Sequence, residues 1–256
     1  MSSRTFDEAA HLYDEVRPGY PEQLYEDILS FSTGPKAEIL EIGCGTGQAT
    51  LPLARRGYRI LCLDPGENLV PIAMKRCQSF PNVIFQTTTF EDWQPQNQSF
   101  DLIISATAFH WVDPEIGYKK AAEVLRPQGY VALFWNLHPE PYTGFFSRVQ
   151  EVYHRVVPQW GVTDQRPSTK ERLEAIKTQI RRSGYFQEPI LKQYTWSTRF
   201  TTEQYIRLLN TYSDHRSLEE SMRKELLRQI AELIEREYSG YVDRPYLTAL
   251  FLAKKK

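Results

Sequence analysis

Between residues 36 and 136 short apolar runs alternate with stretches whose apolar residues recur at helical spacing, the pattern of a parallel sheet covered on both faces. The runs predict strands at 37–42, 59–63, 82–86, 100–105 and 130–136. The stretches between them predict helices at 48–57, 67–78 and 114–125, the last stopped by Pro127 and Gly129. Pro52 and Pro71 stand near the starts of two of these helices, where a missing N–H is tolerated. From 138 onward the pattern turns mainly helical. Phe145, Val149, Val152, Tyr153 and Val156 form one apolar stripe, and Leu173, Ile176 and Ile180 form another behind a capping box of Ser168 and Glu171. A β-branched and aromatic run at 190–198 and an apolar run at 246–253 predict two further strands. Between these, Thr201 with Gln204 and Ser217 with Glu220 predict capped helices over 201–212 and 217–238, with Gly240 as the C-terminal cap of the second.

Composition narrows the picture. At 256 residues the chain is long enough for one large α/β domain or a core with an added cap. Lys and Arg number 31 against 32 Asp and Glu, so no strong field marks nucleic acid or an anionic membrane as the main partner. No apolar stretch is long enough to span a membrane, and residues 1–6 lead into charged positions without the apolar middle of a secretory signal. Cys44, Cys62 and Cys77 form no C-x-x-C pair, so a disulfide framework is not expected and a reducing cytoplasm is the simplest location. Nor is there the cysteine cluster of an iron–sulfur radical enzyme. The five histidines show no metal-ligand spacing, so no metal is expected.

The most informative chemistry lies where the first predicted strand, Glu38 to Ile42, runs into Gly43-Cys44-Gly45-Thr46-Gly47. Small residues after a parallel strand let a ligand approach the backbone, and the following helix offers unpaired N–H groups. Asp64 ends the second strand about twenty residues on, where a carboxylate can accept both hydroxyls of a ribose. It is equally a residue type suited to capping a helix before Pro65. The spacing G-x-G-x-G puts Gln48 at the third glycine position of a dinucleotide fingerprint, which disfavours a pyrophosphate clamp. Glu41 would repel a diphosphate but could hold the ammonium group of a cofactor with an amino-acid end.

At these residues the chain resembles the class I S-adenosylmethionine-dependent methyltransferases. The resemblance is carried by E-I-G-C-G-T-G at Glu41 to Gly47, L-D-P at Leu63 to Pro65, F-D-L-I-I-S at Phe100 to Ser105, His110-Trp111, and V-L-R-P-Q-G-Y at Val124 to Tyr130. Tyr13 to Pro21 is similar to the N-terminal segment of a small-molecule branch that includes the trans-aconitate methyltransferases. The resemblance covers roughly residues 6 to 137. It implies S-adenosylmethionine as cofactor and a doubly wound, mostly parallel seven-stranded α/β sheet with helical cap insertions. It divides the chain into an N-terminal lid segment at 1–30, a cofactor-binding core at 31–137, and a C-terminal part at 138–256 that carries the cap and the last two strands.

The implied cofactor contacts are Tyr13, Arg17, Glu41, Gly43, Cys44, Gly45, Gly47, Asp64, Thr89, Phe90 and Ser105. Thr89 and Phe90 replace the acid and small residue usual after the third strand, leaving the Thr89 hydroxyl or the Phe90 backbone N–H for adenine; a turn with Phe90 in the core is the plainer reading. Ser105 opens the segment after the fourth strand, which lacks the Asn/Asp-Pro-Pro-aromatic signature of many amino-group methyltransferases. His110 in that segment could orient the acceptor or take its proton, or simply pack beside Trp111. Arg17 could pair with the cofactor carboxylate or with an acidic substrate, or belong to a surface helix ended by Pro18. Methyl transfer to a small-molecule acceptor, oxygen or carbon preferred, is the expected reaction. A nicotinamide-dependent oxidoreductase and a non-catalytic methyltransferase-like binding protein are the alternatives.

Overall fold

The structure, a computed structural model, describes residues 14–31, 34, 37–96, 99–160 and 167–256. Its strands are β1 (Glu38–Ile42), β2 (Arg59–Asp64), β3 (Val83–Thr87), β4 (Phe100–Ala106), β5 (Leu125–Leu137), β6 (Ile190–Thr201) and β7 (Tyr241–Lys254). They form one sheet in the order β3-β2-β1-β4-β5-β7-β6, parallel from β3 to β5, with β7 antiparallel to both of its neighbours. The order reverses between β1 and β4, so a crevice opens beyond their carboxyl ends.

The helices are α1 (Glu22–Phe31), α2 (Thr50–Arg55), α3 (Leu69–Arg76), α4 (Pro114–Val124), α5 (Phe145–Val156), α6 (Thr169–Ser183), α7 (Thr202–Leu209), α8 (Ser213–Arg216) and α9 (Glu220–Glu237). Alternation along the central strands sends successive side chains to opposite faces. Ile39, Cys62, Leu102 and Ile104 pack with Leu24, Tyr25 and Ile28 of α1 and Leu53 of α2. Leu40, Leu61, Ile103 and Leu133 pack on the other face with Tyr118 and Ala121 of α4 and Leu173 and Ile180 of α6. A third cluster joins Phe145 and Val149 of α5, Tyr205 and Leu208 of α7, and Leu226 and Ile230 of α9 to Val242 and Tyr246 at the start of β7.

Within 1–30, α1 packs into the core, with Leu24 and Ile28 at 0% exposure. Within the C-terminal part, α6 packs beside α4 on the sheet and not with α5, α7 and α9.

Local sequence explains most boundaries. The capping boxes at Ser168/Glu171 and Thr201/Gln204 both form. The one at Ser217 does not: the one-turn α8 occupies 213–216, Ser217 donates its hydroxyl to the Asp214 carbonyl, and Glu219 caps α9 by accepting from the N–H groups of Ser221 and Met222. The last strand begins at Tyr241, five residues before the apolar run, because β6 pairs with it along Thr201↔Tyr241 through Trp196↔Tyr246. β5 begins at Leu125, directly after α4, and Pro127 to Gly129 sit in a register shift before the regular pairing resumes at Leu102↔Tyr130.

Candidate active site

The turn from Gly43 to Gly47 is fixed from below by β2. The N–H groups of Gly43 and Cys44 donate to the Leu63 carbonyl at 2.8 and 3.2 Å, and Gly47 N–H donates to the Cys44 carbonyl at 2.9 Å. Gly43 has φ of +74°, and a Cβ there would overlap that of Ala108, so this position admits only glycine. Asp64, 7% exposed, accepts from Gly45 N–H and Gly66 N–H, each at 2.8 Å. The carboxylate therefore shapes the turn itself. The cap reading of Asp64 is not the one found, since α3 begins at Leu69 after Asn68.

Around this turn lies a cavity of about 800 Å³ lined by Gly43, Gly45, Asp64, Leu69, residues 88–92, residues 106–108 and residues 110–112, with Arg17 and Tyr212 at one side. That volume lies in the range of cofactor pockets. The glycine turn, the carboxylate and the apolar wall of Leu69 suit an adenosine-type ligand. Thr89 and Phe90 line it, but not as free contacts. The Thr89 hydroxyl bonds the Asp92 carboxylate at 2.7 Å and accepts the Asp92 N–H at 3.0 Å. Phe90 is a core residue, 3% exposed and stacked on Trp93.

Two expected contacts do not reach the crevice. Glu41 shares a sheet face with Ile39, so its carboxylate lies under α2 at 0% exposure. One oxygen accepts from the Thr50 hydroxyl at 2.6 Å and lies 3.7 Å from the Cys62 thiol; the other has no partner. Burial pushes its pKa up to about 7 against the hydrogen bonds from Thr50 and Cys62. Ser105, also at 0% exposure, donates its hydroxyl to the Ile42 carbonyl at 2.7 Å and ties β4 to β1. Its neighbours Ala106, Thr107 and Ala108 line the cavity instead. Cys44 lines a second cavity, but the neighbouring Cys62 thiol and burial hold its pKa well above the ordinary value. It is no nucleophile.

His110 stands in the one-turn helix after β4 and lines the large cavity. Its Nδ1 accepts the indole N–H of Trp135 at 3.2 Å. With Nδ1 filled, the neutral ring carries its proton on Nε2, which makes it a donor rather than a base. Partial desolvation, foremost, and the Arg172 charge lower its pKa, favouring this neutral form, although the residue as a whole is exposed.

The second cavity, about 180 Å³, adjoins the first along Gly43, Gly45 and Thr107 and is closed by Arg17, Tyr20, Asn136, Tyr212, Arg244 and Tyr246. Arg17 donates to the Thr211 hydroxyl at 2.8 Å and carbonyl at 3.0 Å, and lies 4.5 Å from the Tyr212 ring. Tyr20 hydrogen-bonds Thr107 at 2.8 Å. Thr107 has φ of +55°, an outlier for a β-branched residue and a local strain at the junction of the two cavities. Tyr13 lies outside the described residues.

Sequence reasoning missed Thr107, Asn136, Trp135, Tyr212, Arg244 and Tyr246. Arg244 had a signal: alternation along β7 puts it on the face of Val242 and Tyr246, where a charge needs a reason.

Residues 39–129 match the family model described as a methyltransferase domain. That span holds the glycine turn, Asp64, Thr89 and His110. By this match residues 39–129 are similar to a methyltransferase domain. A Saccharomyces cerevisiae protein named as an S-adenosylmethionine-dependent methyltransferase is 32% identical over 137 residues, 52% of this chain and 47% of that one. The chain spans about half the length of the curated relatives that share at least 30% identity with it. A structure from Anaeromyxobacter dehalogenans named as a type II methyltransferase superposes with a TM-score of 0.65 at 24% identity, over 93% of this chain and 96% of that one. A methyltransferase of Thiobacillus denitrificans in complex with S-adenosylhomocysteine gives 0.56 at 16% identity, over 100% and 99%. Both share the fold of the seven-stranded sheet. No helix among the described residues is long and apolar enough to cross a membrane, and no acidic, histidine or cysteine cluster among them suits a metal ion.

Proposed function

We propose that the whole chain is an S-adenosylmethionine-dependent methyltransferase of the small-molecule branch, acting on oxygen or carbon. The observation that carries this is the pairing of a nucleoside-sized cavity around Asp64 with a smaller cavity that meets it at Gly43 and Thr107. One site holds a donor and the other an acceptor, side by side. When bound, S-adenosylmethionine supplies an electrophilic methyl whose bond to sulfur breaks as the acceptor's lone pair takes it. The chain's task is alignment. Asp64 would hold the ribose, the Gly43 to Gly47 turn would admit the backbone-close part of the cofactor, and Leu69 would wall the base. His110 lines only the larger cavity, so as an Nε2 donor it would orient the acceptor where that extends into the larger cavity beside the cofactor. Tyr20, Arg17 and Tyr212 would exclude water from above.

A near-neutral balance of charge supports a small-molecule partner over nucleic acid. Three buried free cysteines support a reducing, cytoplasmic location. The test is thermal unfolding with S-adenosylhomocysteine and, in parallel, NADH. A ligand that binds only the folded protein stabilises it by roughly 2.7 kcal/mol at about a hundred times its Kd. A rise in Tm with S-adenosylhomocysteine alone is expected. No shift at millimolar concentration would count against the whole assignment.

A further inference from the structure

Thr107 stands where the two cavities meet, and it lines both. A φ of +55° crowds a β-branched side chain against its own backbone, where glycine would sit without cost. Two bonds hold it there. Its N–H donates to the Phe134 carbonyl on β5 at 2.7 Å, and its hydroxyl shares a hydrogen bond of 2.8 Å with the Tyr20 hydroxyl. The Tyr20 ring in turn packs edge-on against the Phe134 ring, with centroids 4.8 Å apart. On the other side, Ala108 occupies the space that a Cβ on Gly43 would fill, so the segment after β4 is seated directly on the glycine turn. Backbone strain of this kind persists where the surrounding structure imposes it, and it concentrates at functional sites. Threonine costs stability at this position, and what it adds over glycine is a hydroxyl at the junction. In a pair of hydroxyls one donates to the other, and either atom can be the donor here. With Tyr20 donating, Thr107 keeps its own proton for a third oxygen; with Thr107 donating, it keeps a lone pair to receive one.

We propose that Thr107 is a catalytic residue of the transfer, its hydroxyl holding an oxygen at or beside the acceptor's attacking atom in line with the donor cavity. Tyr20 is a positioning residue that acts through it. The inference rests on the methyltransferase reading above. A displacement limited by alignment gains most from a contact fixed at the point where donor and acceptor meet. The strained backbone, the Phe134 bond and the Tyr20 bond together fix this hydroxyl at that point. Because the pair can donate or accept, it meets an acceptor oxygen with or without its proton.

The experiment uses the full-length protein, S-adenosylmethionine with a tritiated methyl group, and a cell metabolite extract as the source of acceptor. T107V keeps the branch at Cβ and removes the hydroxyl. It should lower labelling by roughly tenfold or more, while affinity for S-adenosylhomocysteine, read by calorimetry, stays within about twofold of the parent. T107S should recover most of the loss. Y20F should lower labelling too, and adding it to T107V should cost little more, because the two hydroxyls act as one unit. Labelling by T107V at the parent level, or by T107S as poor as by T107V, overturns the inference, since neither result needs the hydroxyl. An affinity for S-adenosylhomocysteine that falls in step with labelling overturns it by making Thr107 a cofactor contact. A parent protein that binds S-adenosylhomocysteine and labels nothing in the extract fails as a methyltransferase, which overturns the reading beneath. A last measurement needs no acceptor. T107G and T107A both lose the hydroxyl, but only alanine stays crowded at positive φ, so T107G should have the higher Tm. The reverse order overturns the inference by showing that the backbone at Thr107 is unstrained.

Discussion

A carboxylate with one oxygen on Thr50 and the other without a partner resists ionisation in the interior. Glu41 has a folded pKa of about 7 against an ordinary 4.5. Across that window the folded protein keeps a proton that the unfolded chain has released. Stability therefore falls as pH rises from about 4.5 through about 7, and the loss is complete above it. Glu41→Gln abolishes this titration. Urea unfolding at pH 5 and pH 8 should show the parent losing roughly 3 kcal/mol more than the variant, from about 1.4 kcal/mol per pKa unit. Equal pH dependence in the two proteins would mean that Glu41 does not titrate there. At Asp64 the expected effect is on binding. Asp64→Asn keeps an acceptor for Gly66 N–H but loses the charge, and S-adenosylhomocysteine should bind more weakly by roughly 1.5–3 kcal/mol, read by calorimetry. An unchanged affinity would leave Asp64 as a brace of the glycine turn and nothing more.

At the scale of elements, caps offer a direct comparison. Ser168→Ala removes a cap whose hydroxyl accepts the Glu171 N–H at 3.2 Å and should cost about 1 kcal/mol in denaturant unfolding. Ser217→Ala removes only a hydroxyl donated to the Asp214 carbonyl and should cost less than half as much; an equal loss would restore Ser217 as the cap of α9. The same pair shows what a sequence can convey. A capping box is local, so Ser168 and Thr201 were legible, whereas the start of α9 depends on a one-turn helix that periodicity cannot resolve. The strands of the core were legible from their apolar runs. The side of the sheet that each residue faces was legible too, had alternation been applied at Glu41, which shares the face of Ile39. The 13-residue β5 was not, because Pro127 and Gly129 look like a loop until β4 is laid beside them. In the site, Gly43, Asp64 and the segment after β4 follow from motif order. Arg17 was legible as a cavity residue, but its Thr211 partner is 194 positions away in sequence. Arg244 and Tyr246 belong to the cavity only because β7 is inserted between β5 and β6.

Across the whole molecule, residues 14–20 tie the core to the cap. Asp14 pairs with Arg76 on α3, Glu15 with Arg207 on α7 at 2.8 Å, Arg17 with Thr211, the Gly19 carbonyl with Asn136 on β5 at 3.0 Å, and Tyr20 with Thr107. The strap thus crosses both cavities, and it is this stretch, not α1, that can act as a lid. A ligand bound beneath it adds contacts to core and strap together, so opening of the strap becomes rarer. Hydrogen exchange should slow on adding S-adenosylhomocysteine at the Gly43 to Gly47 turn, at residues 14–20 and at residues 210–214 in parallel. Arg17→Ala cuts the link to Thr211 while leaving α1 packed. It should weaken S-adenosylhomocysteine binding and remove the protection of 14–20 and 210–214, with the turn still protected at saturating ligand. Protection confined to the turn in the parent protein would show that the strap does not close over the cofactor, and that Arg17 serves only to hold the cap in place.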